Sequence, residues 1–144
     1  MALISNKKAY FNYEIIDKYV AGVELLGFEV KSLKDGHGSL EGAHITVRGG
    51  EAYIIGMFIP PYQPANTPKD YKPYRIRRLL LQKAEIAELA EIEDKKRLTI
   101  VPLSVYNKGP RIKLDIAMAK GKKKFDKREV LKKRDTDREL RREF

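Results

Sequence analysis

LTIVPLSVYNKGPRIKLDIAM, residues 98–118, is the stretch on which the fold turns. Ile112, Leu114, Ile116 and Met118 alternate with Lys113, Asp115 and Ala117, the period of a strand with one face in a core. A second apolar run, from Leu98 to Tyr106, precedes it, and Asn107-Lys108-Gly109-Pro110 separates the two as a turn. The runs therefore read as an antiparallel hairpin. Pro102 cannot donate to a ladder, so the first strand is either an edge or bulged at that point.

Upstream, HITVRGGEAYIIGMFI reads as another hairpin, with Ile45 and Val47 leading into Gly49-Gly50 and Ala52, Tyr53, Ile54 and Ile55 leading out. Before it, Val23 and Leu25 alternate with Glu24, and Phe28 and Val30 alternate with Glu29 and Lys31. That spacing predicts one half-buried strand bent at Gly27, after which SLKDGHGSL breaks the pattern and has room for a short helical turn. Residues 60–74 carry five of the seven prolines, which excludes helix and central sheet and predicts an irregular crossing over one end of the core. Leu81, Glu85, Ile86, Leu89 and Ile92 lie close to helical spacing among strong helix formers, predicting a helix at about 82–93. Leu79, Leu80 and Leu81 either open that helix or end a strand. The expected fold is mainly β: a small closed antiparallel barrel of the OB-fold kind, built from five or six strands. One main helix and one or two short helices accompany it.

With 144 residues and 42% hydrophobic content the chain suits one core. Thirty Lys and Arg against twenty Asp and Glu give a net charge of +10, and a pI near 9.7 puts polyanions first among partners. The charge is uneven. Twelve basic and six acidic residues lie from Lys120 onward, so the tail alone holds +6. A folded unit at 1–119 and a basic tail at 120–144 are expected. The tail's only sizeable apolar residues are Phe125, Val130, Leu131, Leu140 and Phe144, which predicts disorder in isolation. Yet Glu129 with Lys133 and Asp137 with Arg141 make favourable i,i+4 pairs, so an anionic partner would find a latent helix there. No cysteine, no leader pattern and no bilayer-length apolar run point to a soluble cytoplasmic protein.

Catalytic chemistry finds little support. His37 stands in a Gly-His-Gly loop and His44 opens a strand, neither in a metal or catalytic spacing, and without cysteine a metal site lacks soft ligands. Glu24 and Glu29 read as solvent-facing strand residues, not an acid/base pair. KGKKK contains a Gly-Lys pair but not the spaced glycines or the Ser/Thr of a phosphate loop. No enzyme activity, cofactor or metal is expected. Basic groups interleaved with aromatics are more telling. NKKAYFNY sets Lys7 and Lys8 beside Tyr10, Phe11 and Tyr13, a mixture that contacts phosphates and stacks on unpaired bases. YRIRR adds Arg75, Arg77 and Arg78, and Lys31, Lys34 and Lys113 project from strands or their ends.

AGVELLGFEVKSLKDG (21–36), RRLLLQKAEI (77–86), LTIVPLSVY (98–106), RIKLDIAMAKGKKKFDKRE (111–129) and KKRDTDRELRR (132–142) together resemble the SsrA-binding protein family, SmpB, in its motif order and over nearly the whole chain. The resemblance implies an OB-fold barrel with flanking helices that binds transfer-messenger RNA at its tRNA-like domain and delivers it to ribosomes stalled without a stop codon, without catalytic activity of its own. It implies that the barrel and Asn6, at a conserved asparagine's position, hold the D-loop and elbow of the RNA, and that Leu80 matches a leucine of the RNA contact. The expected RNA-binding set is thus Asn6, Lys7, Lys8, Tyr13, Lys31, Lys34, Arg75, Arg77, Arg78, Leu80 and Lys113. The tail, by the same resemblance, enters the small subunit's decoding centre and empty mRNA channel and folds there into a helix. Gly121, Lys122, Lys123, Asp126, Lys127 and Arg128 match that signature, Phe125 stands where an aromatic or histidine stacks on a decoding-centre base, and Lys132, Lys133 and Arg134 follow in the basic repeat. Val20 departs from a glutamate tied to RNA binding, and Phe58 from a common histidine. A monomer bound to RNA is expected, with no membrane partner. The alternative is a generic RNA-binding or ribosome-assembly protein with a basic tail.

Overall fold

The computed structural model describes residues 2–63, 65, 67–94 and 98–121. Within it the hairpin at 98–118 becomes two long strands, β6 (Leu98–Lys108) and β7 (Arg111–Gly121), paired antiparallel. β1 is Ala2–Ser5, β2 Tyr13–Val23, β3 His44–Arg48, β4 Glu51–Ile55 and β5 Arg77–Leu80; the helices are α1 (Lys7–Asn12), α2 (Gly27–Lys34) and α3 (Lys83–Glu93). Lys108 faces Arg111, so the β6–β7 turn holds only Gly109 and Pro110. Pro102 faces Ile116 and Ser104 faces Asp115, which leaves Leu103 as the extra residue of a bulge. β6 is not an edge, because β1 pairs along its other side. Of the two arrangements open to Pro102, the bulge is the one the chain adopts.

The seven strands form one antiparallel sheet in the order β1-β6-β7-β2-β5-β4-β3. The β3–β4 turn is Gly49-Gly50 at φ 57° and 77°, the two-residue geometry whose positive dihedrals match the strand twist. Leu79 and Leu80 end a strand rather than opening α3. Ile86, Leu89 and Ile92 of α3 are buried, and the helix rests against both β3 and β6, which the curl of the sheet brings near each other. No ladder joins the two ends of the sheet among the described residues, so it is curled but open where a closed barrel was expected. At the β3 edge Glu93 of α3 accepts hydrogen bonds from the Thr46 hydroxyl (2.5 Å) and the Val47 N–H (2.9 Å), so a side chain and not a further strand satisfies that edge donor.

Where a bent strand was expected through Phe28 and Val30, the chain forms α2. The Glu29 carboxylate accepts the Leu26 N–H at 2.8 Å while the Glu29 N–H donates to the Leu26 carbonyl at 3.0 Å, closing the first helical turn. Phe28 and Val30, two positions apart, carry the period of a strand, but a single alternation this short could not outweigh a turn held at its start. The core fills the inside of the curl with Leu33, Ile54, Leu89, Ile100, Leu114 and Ile116, all essentially without exposed surface. A smaller cluster lies on the outer face, where Ala9 of α1 covers Val101, Leu103, Ala117 and Ala119. Among the described residues no helix is long and apolar enough to cross a membrane.

Candidate nucleic-acid interface

The alternation of β7 sends Ile112, Leu114 and Ile116 into the core and leaves Lys113 and Asp115 on the outer face. Register then decides their neighbours. Tyr106 on β6 stands opposite Lys113, Lys113 opposite Gly22 on β2, and Gly22 opposite Leu80 on β5, so one row crosses four strands. Beside it Ser104, Asp115 and Val20 make a second row. α1 covers one end of this face and leaves these rows bare: Val20 is 49% exposed and Leu80 48%. A groove opens beside Lys113, Gly22 and Leu80 of the first row, bounded by Leu80, Val23, Leu25 and Val30 on one side and by Pro110, Arg111, Ile112 and Lys113 on the other. Burial and then the Asp115 carboxylate, which accepts from the phenol, push Tyr106 above the usual tyrosine range.

The N-terminal candidates lie elsewhere. Asn6 is 7% exposed, and its Nδ2 donates to the Pro102 carbonyl at 2.9 Å and to that of Leu40 at 3.4 Å. Its backbone N–H donates to the Leu103 carbonyl at 2.8 Å. The bulge in β6 turns two carbonyls away from the ladder, and Asn6 satisfies both while starting α1. Lys7 is exposed, and Lys8 reaches Glu41 at 2.5 Å across a groove that Asn6, Tyr13 and His44 also line. Tyr13 is half-buried against the small cluster beneath α1.

The arginines require a correction. Arg77 was expected to face RNA, but its side chain has no exposed surface. Its Nε and Nη2 donate to Glu29 Oε2 at 2.9 and 2.5 Å, Nη1 to the carbonyls of Met57 (2.7 Å) and Arg75 (3.0 Å), and Nη2 also to the Pro73 carbonyl (3.0 Å) and the Tyr71 hydroxyl (3.1 Å). Every donor of the guanidinium is thereby used inside the protein. Arg75 closes on the same carboxylate through Oε1 and, at 3.1 Å, through Oε2. Glu29, expected at the surface of a strand, is buried completely. Burial alone would raise its pKa, but Arg75, the Leu26 N–H and Arg77 outweigh it and hold the carboxyl below the usual range. Arg78 points outward but pairs with Glu24 at 2.6 Å and lies 3.9 Å from Glu51. Lys31 and Lys34 are exposed on the last turn of α2, where the helix carbonyl end favours cations.

Of the expected set, the structure therefore brings Leu80 and Lys113 together, places Lys31 and Lys34 on a neighbouring helix, and withdraws Arg77. Gly121 ends β7 opposite Tyr13. Lys122, Lys123, Phe125, Asp126, Lys127, Arg128, Lys132, Lys133 and Arg134 lie outside the described residues. Gly22, Arg111 and Tyr106 were not singled out beforehand. The hairpin register supplies Tyr106, and a glycine inside a strand is itself a sign of close approach. Among the described residues no three His, Cys, Asp or Glu gather as metal ligands. His37 and His44 are separately exposed.

Comparison with known proteins gives consistent matches. The family model described as SmpB protein matches residues 3–144. An SsrA-binding protein of Persephonella marina is 46% identical over 97% of this chain and 91% of its own length. One of Elusimicrobium minutum is 47% identical over 97% of this chain and 88% of its own. A solved structure described as "tmRNA-SmpB: a journey to the center of the bacterial ribosome" superposes with a TM-score of 0.70 at 37% identity, covering 84% of this chain and 85% of that one.

Proposed function

Because the chain belongs to the SmpB family, we propose that it binds the tRNA-like domain of transfer-messenger RNA and carries that RNA to stalled ribosomes for trans-translation rescue and peptide tagging. The observation that carries this is the match from residue 3 to residue 144, which takes in the curled sheet and the basic tail together. Residues 1–119 serve as an OB-like RNA-binding unit, with Leu80 and Lys113 at the centre of the contact and the exposed lysines of α1 and α2 beside it. Mixed apolar and cationic groups on an open sheet face suit unpaired bases and the phosphates between them. Gly121 and the basic residues after it serve the ribosome, its decoding centre and empty mRNA channel, in the cytoplasm. The protein works there as a monomer bound to RNA. Binding and placement are its chemistry, not bond making.

The test is direct: the purified protein should bind transfer-messenger RNA more tightly than a random structured RNA of equal length at matched salt. Equal affinities would leave only a generic RNA-binding protein with a basic tail.

A further inference from the structure

We infer that Gly22 is a positioning residue for RNA recognition: its missing Cβ lets Leu80 lie across β2 and shapes, between Leu80 and Lys113, a groove for one unstacked nucleotide. This rests on the RNA-binding function proposed above. Gly22 stands in mid-strand, between Leu80 and Lys113 in the four-strand row. It is not among the glycines with positive φ, so no turn geometry asks for it. Its cost to strand stability needs another reason. Space supplies one. A Cβ on Gly22 would stand 3.2 Å from Leu80 Cβ and 3.4 Å from Leu80 Cδ1, so an alanine there makes the Leu80 side chain give by a few tenths of an ångström and a larger residue displaces it further. Leu80 thus keeps one side against the backbone while nearly half of it remains open to solvent.

The walls name the occupant. Leu80 and Val23 are apolar, Arg111 and Lys113 are cationic, and no carboxylate lines the groove. An apolar surface facing two cations fits a ligand with a flat, uncharged π-face and an anionic group within one residue's reach. A nucleotide out of its stack has both, whereas a base within a duplex has its faces covered by neighbours.

The experiment measures affinity for the tRNA-like domain with wild type, Gly22→Ala, Gly22→Val, Leu80→Ala and the Gly22→Ala/Leu80→Ala double variant. Base-specific chemical footprinting of the bound RNA and thermal midpoints of the free proteins accompany it. Gly22→Val should weaken binding about tenfold, the scale of one lost base stack, and Gly22→Ala less. Thermal midpoints should hold or rise, since valine favours strands. One base protected by wild type should become reactive with Gly22→Val. In the Leu80→Ala background, Gly22→Ala should cost less than about twofold more, because the glycine acts through that side chain. If valine lowers the midpoint instead, the alanine cycle and its footprint decide. Additive losses in the cycle, or a wild-type footprint with Gly22→Val at wild-type affinity, overturn the inference while the preference for transfer-messenger RNA stands. Loss of that preference in wild type overturns the proposed function and this inference together.

Discussion

At Glu29 a carboxylate with no exposed surface meets two guanidinium groups and a helix-opening N–H. Removing one member of such a set leaves the opposite charge buried without compensation. Glu29→Gln should lower unfolding stability by about 3 to 5 kcal/mol, read as a fall in the urea midpoint at unchanged slope. The same group sets the acid limb. Its pKa in the folded protein lies below the unfolded value of about 4.3, so below that pH the unfolded chain binds more protons. The stabilisation is present above pH about 4.3 and is lost as pH falls through the lowered value. A stability profile of Glu29→Gln should therefore be flatter than wild type in that range. Tyr19 and Tyr71 act with the opposite sign. Burial, then the carboxylates of Glu88 and Glu29 respectively, push both phenols up to about 12. Their contribution is whole below pH about 10 and fades as pH rises towards 12, so Tyr71→Phe should flatten the alkaline limb. Residue type alone misled at this scale. The sequence shows Arg75, Arg77 and Arg78 as one basic run, yet strand alternation turns Arg77 inward, and which residue receives it depends on Glu29, 48 positions away.

Among the elements, β6 shows how one residue organises its neighbours. Pro102 withholds an N–H, the strand bulges at Leu103, and the displaced carbonyls become the seat of Asn6 and hence of α1. Asn6→Ala leaves the buried Pro102 carbonyl without its donor and should cost about 1 to 2 kcal/mol. Amide hydrogen exchange should place the loss first in α1, in the absence of RNA. Unchanged protection in α1 would mean that Asn6 acts on RNA and not on the fold. Both hairpins and α3 were legible because long periods and turn glycines agree there. α2 was not, since Phe28 and Val30 alternate like a strand and the decision rests with a tertiary carboxylate. β1, with four residues, and α1, with six, are too short for any period to appear. Closure of the sheet was the other miss: Glu93 meets β3 from α3, a contact no local pattern announces.

For the whole molecule the question is where the positive charge acts. Beyond Gly121 the chain carries eleven Lys and Arg and six Asp and Glu, half of the net +10. If that charge serves the ribosome and the sheet serves the free RNA, a chain ending at Gly121 should bind transfer-messenger RNA within a few-fold of the full chain. Its log–log salt slope should differ by less than about 0.9, the value of one duplex phosphate contact. Peptide tagging on stalled ribosomes should be lost. A steeper change in slope, or parallel loss of binding and tagging, would place the tail on the RNA instead. The site was half legible for a related reason: composition reveals how much charge a chain has, but register decides which charge stands beside which apolar group, as Lys113 does beside Gly22 and Leu80.

β7 also sets a distance. The same uninterrupted strand carries Lys113 near one end and Gly121 at the other, clamped by β6 and β2 along both sides. Eight residue steps at about 3.3 Å make a rigid spacer of roughly 26 Å. The point from which the basic segment departs is therefore held at a set offset from the RNA-facing groove. The strand works as a ruler: wherever the RNA is seated, it dictates where the probe that follows must start.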